Sequence, residues 1–499
     1  MCGDTTTCGT ASEIRTEYEY WGDTLLPSVE RRIDAAASEV LETHYSYDNA
    51  GRLLSVDGPL AGTDDAQYYR YDVHGRRTWE IGPLGDNGLR NAKRFTYRPA
   101  DDKVTRMEAG TVTSPTSSTL AVHTQTDTSY DGRRNPNLEE VSASGTIHGL
   151  VQRTFDNSNR LTCEARRMNS AVFNSPPGSA CSLGPVGSFG GDRITRNVYD
   201  AAGQLLQVQR AYGTALQQNY ATYTYSPNGR QASVTDANGN RAELRYDGHD
   251  RQSRWVFPSK TTAGAVNESD YESYGYDATG NRTSLRKRDG RTLTYQYDGL
   301  NRVRVKTVPA TVSGTPGYSV HYGYDVRGLE TYARFTSASG TGISNAYDGF
   351  GRLVSSTTTM GGVSRTLTSE YDPGGRRTQL TFPDSVYFSY EYDAAGRLTT
   401  IRENGATAVA SFTYDSLGRR ADASRTGTST TYGYDPLSRL ASLDHDLTGT
   451  AADQSLTFGY NPASQIVTRS FTNAAYDSST IANASRSYGV KGNLNGGGS

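Results

Sequence analysis

Apolar and polar positions alternate with period two in short stretches along the whole chain, as in Tyr45-Ser-Tyr47, Tyr69-Arg-Tyr71, Tyr223-Thr-Tyr225, Tyr295-Gln-Tyr297 and Tyr390-Glu-Tyr392. That period belongs to a β-strand with one face turned to a core. In most copies Asp follows the second aromatic, and Gly stands three residues after the Asp. The carboxylate can cap its own backbone and the Gly supplies a positive φ, so Asp-x-x-Gly predicts a tight turn. Short apolar runs come next, such as Leu53-Leu-Ser-Val56, Leu205-Leu-Gln-Val208 and Leu398-Thr-Thr-Ile401, and predict a returning strand. Each unit reads as a β-hairpin with a longer connection to the next.

The hexamer is intact six times: Tyr47-Asp48-x-x-Gly51-Arg52, Tyr71-Asp72-x-x-Gly75-Arg76, Tyr347-Asp348-x-x-Gly351-Arg352, Tyr371-Asp372-x-x-Gly375-Arg376, Tyr392-Asp393-x-x-Gly396-Arg397 and Tyr414-Asp415-x-x-Gly418-Arg419. Eight degraded copies begin at Phe155, Tyr199, Tyr225, Tyr246, Tyr276, Tyr297, Tyr324 and Tyr434, and five weaker ones at Tyr20, Tyr97, Tyr130, Tyr460 and Tyr488. The 19 units are spaced by 26 residues on average, the signature of a repeat architecture. Two intervals are longer, 33 residues from Tyr97 and 44 from Phe155, and predict loop insertions near residues 109–126 and 163–193. Nineteen hairpins are 38 strands, about 180 Å of sheet at about 4.8 Å per strand. A sheet of that width curls under its own twist. Rolled into a single turn it would enclose a tube about 57 Å across at the same strand spacing. The alternative is a straight solenoid. In either form, tyrosines in constant phase are expected to fill a dry internal ladder. The expected fold is all-β, an array of about 19 hairpins in a curled or spiral sheet. Residues 1–12 read as an N-terminal extension, 13–495 as the repeat sheet, and 496–499 as a linker or cloning scar.

Composition changes this picture little. A mean hydropathy of -0.67 would suit a disordered chain, but 35 Tyr would not. With 51 basic and 53 acidic residues the net charge is -2, which leaves no field to gather nucleic acid or an anionic membrane. No apolar run reaches the roughly 18 residues of a membrane span. Met1-Cys-Gly-Asp-Thr5 does not begin a signal peptide. No nucleic-acid partner and no membrane insertion by this segment are therefore expected. An open sheet would leave unpaired strand edges, which predicts concentration-dependent association.

Tyr-Asp-x-x-Gly-Arg-Leu at this spacing resembles the YD repeat of Rhs proteins over residues 13–495. Glu13-Ile-Arg-Thr-Glu-Tyr-Glu-Tyr20 and Ala237-Asn-Gly-Asn-Arg-Ala-Glu-Leu-Arg-Tyr-Asp247 also resemble bacterial Rhs-type chains of polymorphic toxin systems. The resemblance implies a β-spiral that closes into a hollow cocoon, as in the BC component of Tc toxins and in teneurins. It implies a structural, non-enzymatic role: a shell that sequesters a C-terminal toxin or cargo and works with a delivery apparatus. It also implies a secreted or cell-surface bacterial location. The family's cutting segment, Asp-Pro-x-Gly-Leu, is matched by neither Asp372-Pro-Gly-Gly375 nor Asp435-Pro-Leu-Ser438, and no toxin-sized segment follows Tyr488. The rival reading is an extracellular or wall-associated adhesion module that binds glycans.

Candidate chemistry is sparse. Cys2 with Cys8 and Cys163 with Cys181 form two local pairs, which favours disulfides over free thiols and both over zinc, since no His stands beside them. A bridge from Cys163 to Cys181 would tie an otherwise unstructured loop and imply an oxidising compartment. Asp444-His445-Asp446 reads as a solvated loop. Asp236-Ala-Asn-Gly-Asn240 lacks the Gly and Glu of a calcium loop. Asp64-Asp65, Asp101-Asp102 and Glu139-Glu140 read as surface charge. Trp21, Trp79, Trp255 and Tyr332 are out of phase with the repeat and are the candidate sugar platforms. No nucleophile elbow, phosphate loop or dinucleotide fingerprint is present, so no catalytic residue, metal or cofactor is expected.

Overall fold

A computed structural model of the chain describes residues 14–34, 39–310, 314 and 316–473. They form one antiparallel sheet of 36 strands, β1 to β36 in chain order, with no α-helix among the described residues. Each strand pairs with its neighbours in sequence: β1 (Ile14–Tyr20) with β2 (Pro27–Asp34), β2 with β3 (Val40–Tyr47), β3 with β4 (Leu53–Asp57), and so on to β35 (Gln454–Tyr460) with β36 (Ile466–Phe471). The result is a meander of 18 hairpins, and every odd-numbered strand ends on the aromatic of one repeat unit. The nineteenth unit at Tyr488, and Cys2 with Cys8, lie outside the described residues.

The period-two pattern gives the sheet two unlike faces. Aromatic residues stand opposite aliphatic ones on one face, as Tyr45 with Val56, Tyr223 with Val234, Tyr274 with Leu285 and Tyr390 with Ile401. Small hydroxyls meet on the other: Ser46 with Ser55 at 2.6 Å, Thr224 with Ser233 at 2.7 Å. Cross-strand pairs of either kind contribute roughly 0.2–1 kcal/mol each, so the sheet is held by many modest terms.

The sheet coils onto itself. Arg352 Nη2 lies 2.5 Å from Glu39 Oε2, Asn87 Nδ2 donates to the Asp415 carbonyl at 3.3 Å, and Asn91 Nδ2 donates to the Leu417 carbonyl at 3.2 Å. Each contact joins a Tyr-Asp turn late in the chain to a connection between hairpins early in it, or, for Asn91, to the strand residue just after one. The β2–β3 connection and the turn between β25 (Gly342–Tyr347) and β26 (Leu353–Met360) are 23 strand spacings apart. The connection of β6 (Arg77–Leu84) to β7 (Arg90–Tyr97) and the turn between β31 (Thr407–Tyr414) and β32 (Arg420–Arg425) are 25 apart. A revolution therefore takes about 24 strands, a circumference of about 115 Å and a diameter of about 37 Å. The curled or spiral sheet expected from strand number is what forms, and the spiral is narrower than a single turn of all the strands would be. The reason is the polar seam, which fastens the second revolution on the first with an offset of twelve hairpins.

Both expected insertions are more ordered than loops. Residues 109–126 mostly extend two strands, β8 (Val104–Val112) and β9 (Ala121–Tyr130), leaving only 113–120 to connect them. There the Arg70 guanidinium grips the carbonyls of Pro115 and Ser117, and Leu120 and Val112 join Trp79, Ile81 and Ala92 in a buried cluster. The second insertion leaves β12 (Leu161–Arg166), makes a short 3-10 turn at Ser170–Val172 and enters β13 (Arg193–Tyr199). Cys163 and Cys181 are bonded at 2.07 Å, and Cys163, Ala165, Ala180 and Ile194 form a core of their own. This segment is not the unstructured loop of the sequence reading, because it buries Met168 and Phe173 and an Arg167–Asp192 ion pair. Replacing Cys163 and Cys181 by serine removes a crosslink between residues 18 apart. In the loop-entropy account that is expected to destabilise the insertion by about 3 kcal/mol. Faster amide hydrogen exchange at Ala180 and Ile194 than in the parent chain would show it, and unchanged exchange there would refute it.

Candidate functional site

The repeat turn is the element that recurs, and unit 13 shows its parts. Asp348 Oδ1 accepts hydrogen bonds from the backbone N–H groups of Phe350 (2.9 Å) and Arg352 (2.8 Å), and the Gly351 N–H donates to the Asp348 carbonyl. Gly351 has φ +82°, a conformation that costs other residues roughly 1–2 kcal/mol. Units 6, 11 and 17 nevertheless place Asn159, Asn301 and Ser438 there, at φ 59°, 61° and 64°.

The Arg that closes the hexamer works across units. Arg352 Nε donates to Asp348 Oδ2 at 2.5 Å and Nη1 to the carbonyl of Asp372 in the next unit at 3.0 Å, while the guanidinium lies 5.4 Å from the ring centroid of Tyr371. Arg52, Arg76, Arg160, Arg251, Arg302, Arg376, Arg397, Arg419 and Arg439 make the same Nε bond to their own Asp. All ten stack on the aromatic ring of the following unit, at 4.4 to 5.4 Å. Such contacts are worth about 0.5–1 kcal/mol where exposed and more where desolvated.

The unit Tyr supplies the second stitch. In 16 of the 17 hairpins after the first, its hydroxyl donates at 2.6 to 3.0 Å to the carbonyl of the first residue of the preceding return strand. The exception is unit 6, where Phe155 has no hydroxyl. The expected dry ladder is thus corrected. These rings are half-buried, and what their constant phase serves is a hydrogen bond to a carbonyl of the neighbouring hairpin. Burial raises the phenols of Tyr47, Tyr225 and Tyr434 above their ordinary range.

Asp48, Asp156 and Asp298 are held below the ordinary carboxylate range, first by the backbone N–H groups of Arg52, Arg160 and Arg302 and also by the guanidinium of the same Arg. A carboxylate whose pKa is depressed by folding contributes stability above its unfolded value, and that contribution is lost as pH falls through the folded value. The melting temperature is therefore expected to be flat above about pH 5 and to fall progressively below about pH 4. A melting temperature unchanged down to about pH 2 would contradict the turn chemistry.

The other candidates fare differently. Trp79 is buried in the cluster under the 113–120 loop, and the half-buried Tyr332 ring lies against Gly323. Trp21 sits beside Tyr47 at 6.0 Å and Trp255 beside Phe257 at 4.6 Å. His445 belongs to a strand, not a solvated loop, and its Nδ1 is 3.0 Å from Thr430 Oγ1. Asp236 caps the N–H groups of Asn238 and Asn240 in an ordinary turn. Asp101, read as surface charge, is 2% exposed and paired with Arg98 at 2.6 Å. Its neighbour Asp102 meets Arg76 in the open, and Glu139 meets Arg153. No group of three metal-ligating side chains occurs among the described residues.

The residues that make the seam were invisible in the repeat. Glu39, Asn87, Asn91 and His123 each occur once, outside the hexamer, and their partners lie more than 300 residues away. Periodicity carries no signal for such contacts. Between the two revolutions they leave a cleft of about 670 Å³, lined by Tyr69, Arg77, Lys93 and His123 from the first and by Leu417 and Arg419 from the second.

Comparison with known proteins places family models on the same repeats. The Teneurin YD-shell model matches residues 190–314, and the RHS Repeat model matches residues 347–387 and 371–408. A search of curated proteins found no match. Among solved structures, the crystal structure of TcdB2-TccC3-TEV aligns at 14% identity and a TM-score of 0.47, covering 92% of this chain and 23% of that one. The Tc holotoxin pore of Photorhabdus luminescens aligns at 16% identity and a TM-score of 0.45, covering 90% and 25%. The chain spans about a quarter of the length of these structures. From its hexamers, the hairpins they build and the two family models that fall on them, the chain is identified as a YD/Rhs-repeat protein.

Proposed function

We propose that this chain is wall of an encapsulating shell, and that the wall sequesters a C-terminal toxin or cargo segment of a longer polypeptide until a delivery apparatus takes it over. The reading includes a secreted or cell-surface bacterial route. One observation carries it: the sheet does not stay open but coils, and its second revolution is fastened to the first through Arg352–Glu39, Asn87–Asp415 and Asn91–Leu417. A coiled sheet with a sealed seam has an inside. The mechanism is steric, since main-chain pairing continuous over 36 strands offers a protease or a partner no gap along the wall. No cofactor is required. Residues 13–495 would be the wall, with the insertions folded against it.

Appending a protease-labile, unstructured segment after Ser499 tests the reading. Protection of that segment in the intact chain, lost when the seam is cut by Arg352→Ala, is the expected result. Cleavage at the rate of the free segment would count against encapsulation.

A further inference from the structure

The seam has two unlike halves, and each continues beyond the part that is covered. One half is the rim of Tyr-Asp turns, used by units 13 to 18. The other is the rim of connections between hairpins, used by the earliest hairpins. Where they meet, the turn residues Phe350, Leu417, Leu437 and Ala463 are half-buried, with Phe350 under the Arg32 guanidinium and Pro462 beside Gly149. In earlier units the turns carry exposed apolar residues: Leu300, at the position of Phe350 and Leu417, is 70% exposed, and Val73 and Val326, one position earlier in their turns, are 94% and 83% exposed. At the opposite end of the spiral the connections of later hairpins are uncovered, and they too present apolar side chains, Leu183, Val186 and Phe189 on the disulfide-tied insertion and Leu216 and Phe382 beyond it.

Single exposed apolar residues need no explanation, but these sort onto the two rims that already bind each other inside the chain. We propose that the free turn rim of one copy of this chain docks on the free connection rim of a second copy, head to tail, turn against connection as in the seam, through the exposed apolar residues of the two rims. The occupant follows from continuity with that interface: a second copy supplies the connection rim that the first twelve turns lack. The interface is heterologous, so each addition leaves one rim of either kind open and assembly continues along the spiral axis. It differs from pairing at the edge strands β1 and β36, which would use main-chain groups and leave both rims free.

Sedimentation velocity of the full chain over a range of concentrations tests the proposal, with two rim variants. Val73→Asp with Leu300→Asp and Val326→Asp charges the turn rim, and Leu183→Asp with Val186→Asp charges the connection rim. All five positions are exposed, so both variants are expected to melt as the parent does; Leu216→Asp replaces the second set if it does not fold. The parent is expected to form dimers and larger species as concentration rises, and each variant to stay monomeric. Mixed in equal amounts, the two variants are expected to form dimers and stop there, because each keeps the rim the other has lost. A monomeric parent, association that survives either variant, or a mixture that stays monomeric would each overturn the proposal. None of these outcomes touches the encapsulation reading, which concerns the inside of one spiral.

Discussion

Asp192→Ala is expected to destabilise the second insertion and the hairpins that carry it by about 3–5 kcal/mol, the cost of leaving a buried ion without its partner. Arg167 and Asp192 are each 3% exposed and meet at 2.6 Å. Asp192 also accepts the N–H groups of Met168 and Gly184, and Arg167 donates as well to the carbonyls of Ser179 and Ser182 and to Gln152. Alanine would strand a guanidinium and two N–H groups where water does not reach. Because each repeat contacts mainly its neighbours, the loss is expected in units 6 and 7 and not across the sheet. Hydrogen exchange resolved by segment during urea unfolding would read it. Replacing the pair together, Arg167→Met with Asp192→Leu, is expected to recover much of the loss, since the cost lies in the unpaired charge. A single variant as stable as the parent would show that the pair does not hold the insertion.

The second large effect is expected at Arg352. Its guanidinium holds Asp348, the carbonyl of Asp372, the ring of Tyr371 and, across the seam, Glu39. Arg352→Ala is expected to cost about 2–4 kcal/mol, the range for charge-assisted bonds lost together with a stacked ring. Arg52→Ala is the internal control. Arg52 makes the same three contacts within the repeat, with Asp48, Asp72 and Tyr71, and no bond across the seam. The difference between the two variants therefore isolates the seam. A double-mutant cycle of Arg352→Ala with Glu39→Gln should give a coupling of about 1–3 kcal/mol. Equal losses in the two arginine variants and no coupling would mean that the revolutions merely lie side by side.

Much of this molecule was legible in the sequence because its information is local and repeated. Tyr-x-Tyr specifies a strand, Asp-x-x-Gly a turn, and the apolar run after it a return strand. The hairpins begin and end where those signals place them. The roles of the hexamer residues were less legible. A Tyr in constant phase is equally consistent with a packed ring and with a hydroxyl that bonds a carbonyl 14 to 38 residues back, and only the register between hairpins separates them. That so wide a sheet curls was legible, but the tightness of its coil was not. It depends on Glu39, Asn87 and His123 finding turns twelve units later, and a residue that occurs once has no period to betray it. The insertions were recognised by length and by Ser, Thr, Pro and Gly content, yet composition did not reveal that Phe173 and Met168 would give the second one a core.

Small-angle X-ray scattering of the purified chain tests the spiral most directly. Thirty-six strands laid out flat or as a straight solenoid would span about 170 Å at about 4.8 Å each, whereas the coiled sheet keeps nearly all interatomic distances below about 80 Å. The expected pair-distance distribution is broad, with its maximum shifted to longer distances than a solid body of the same mass would give. An early maximum followed by a long linear tail towards about 170 Å would mean an extended solenoid with no inside, and would contradict the account.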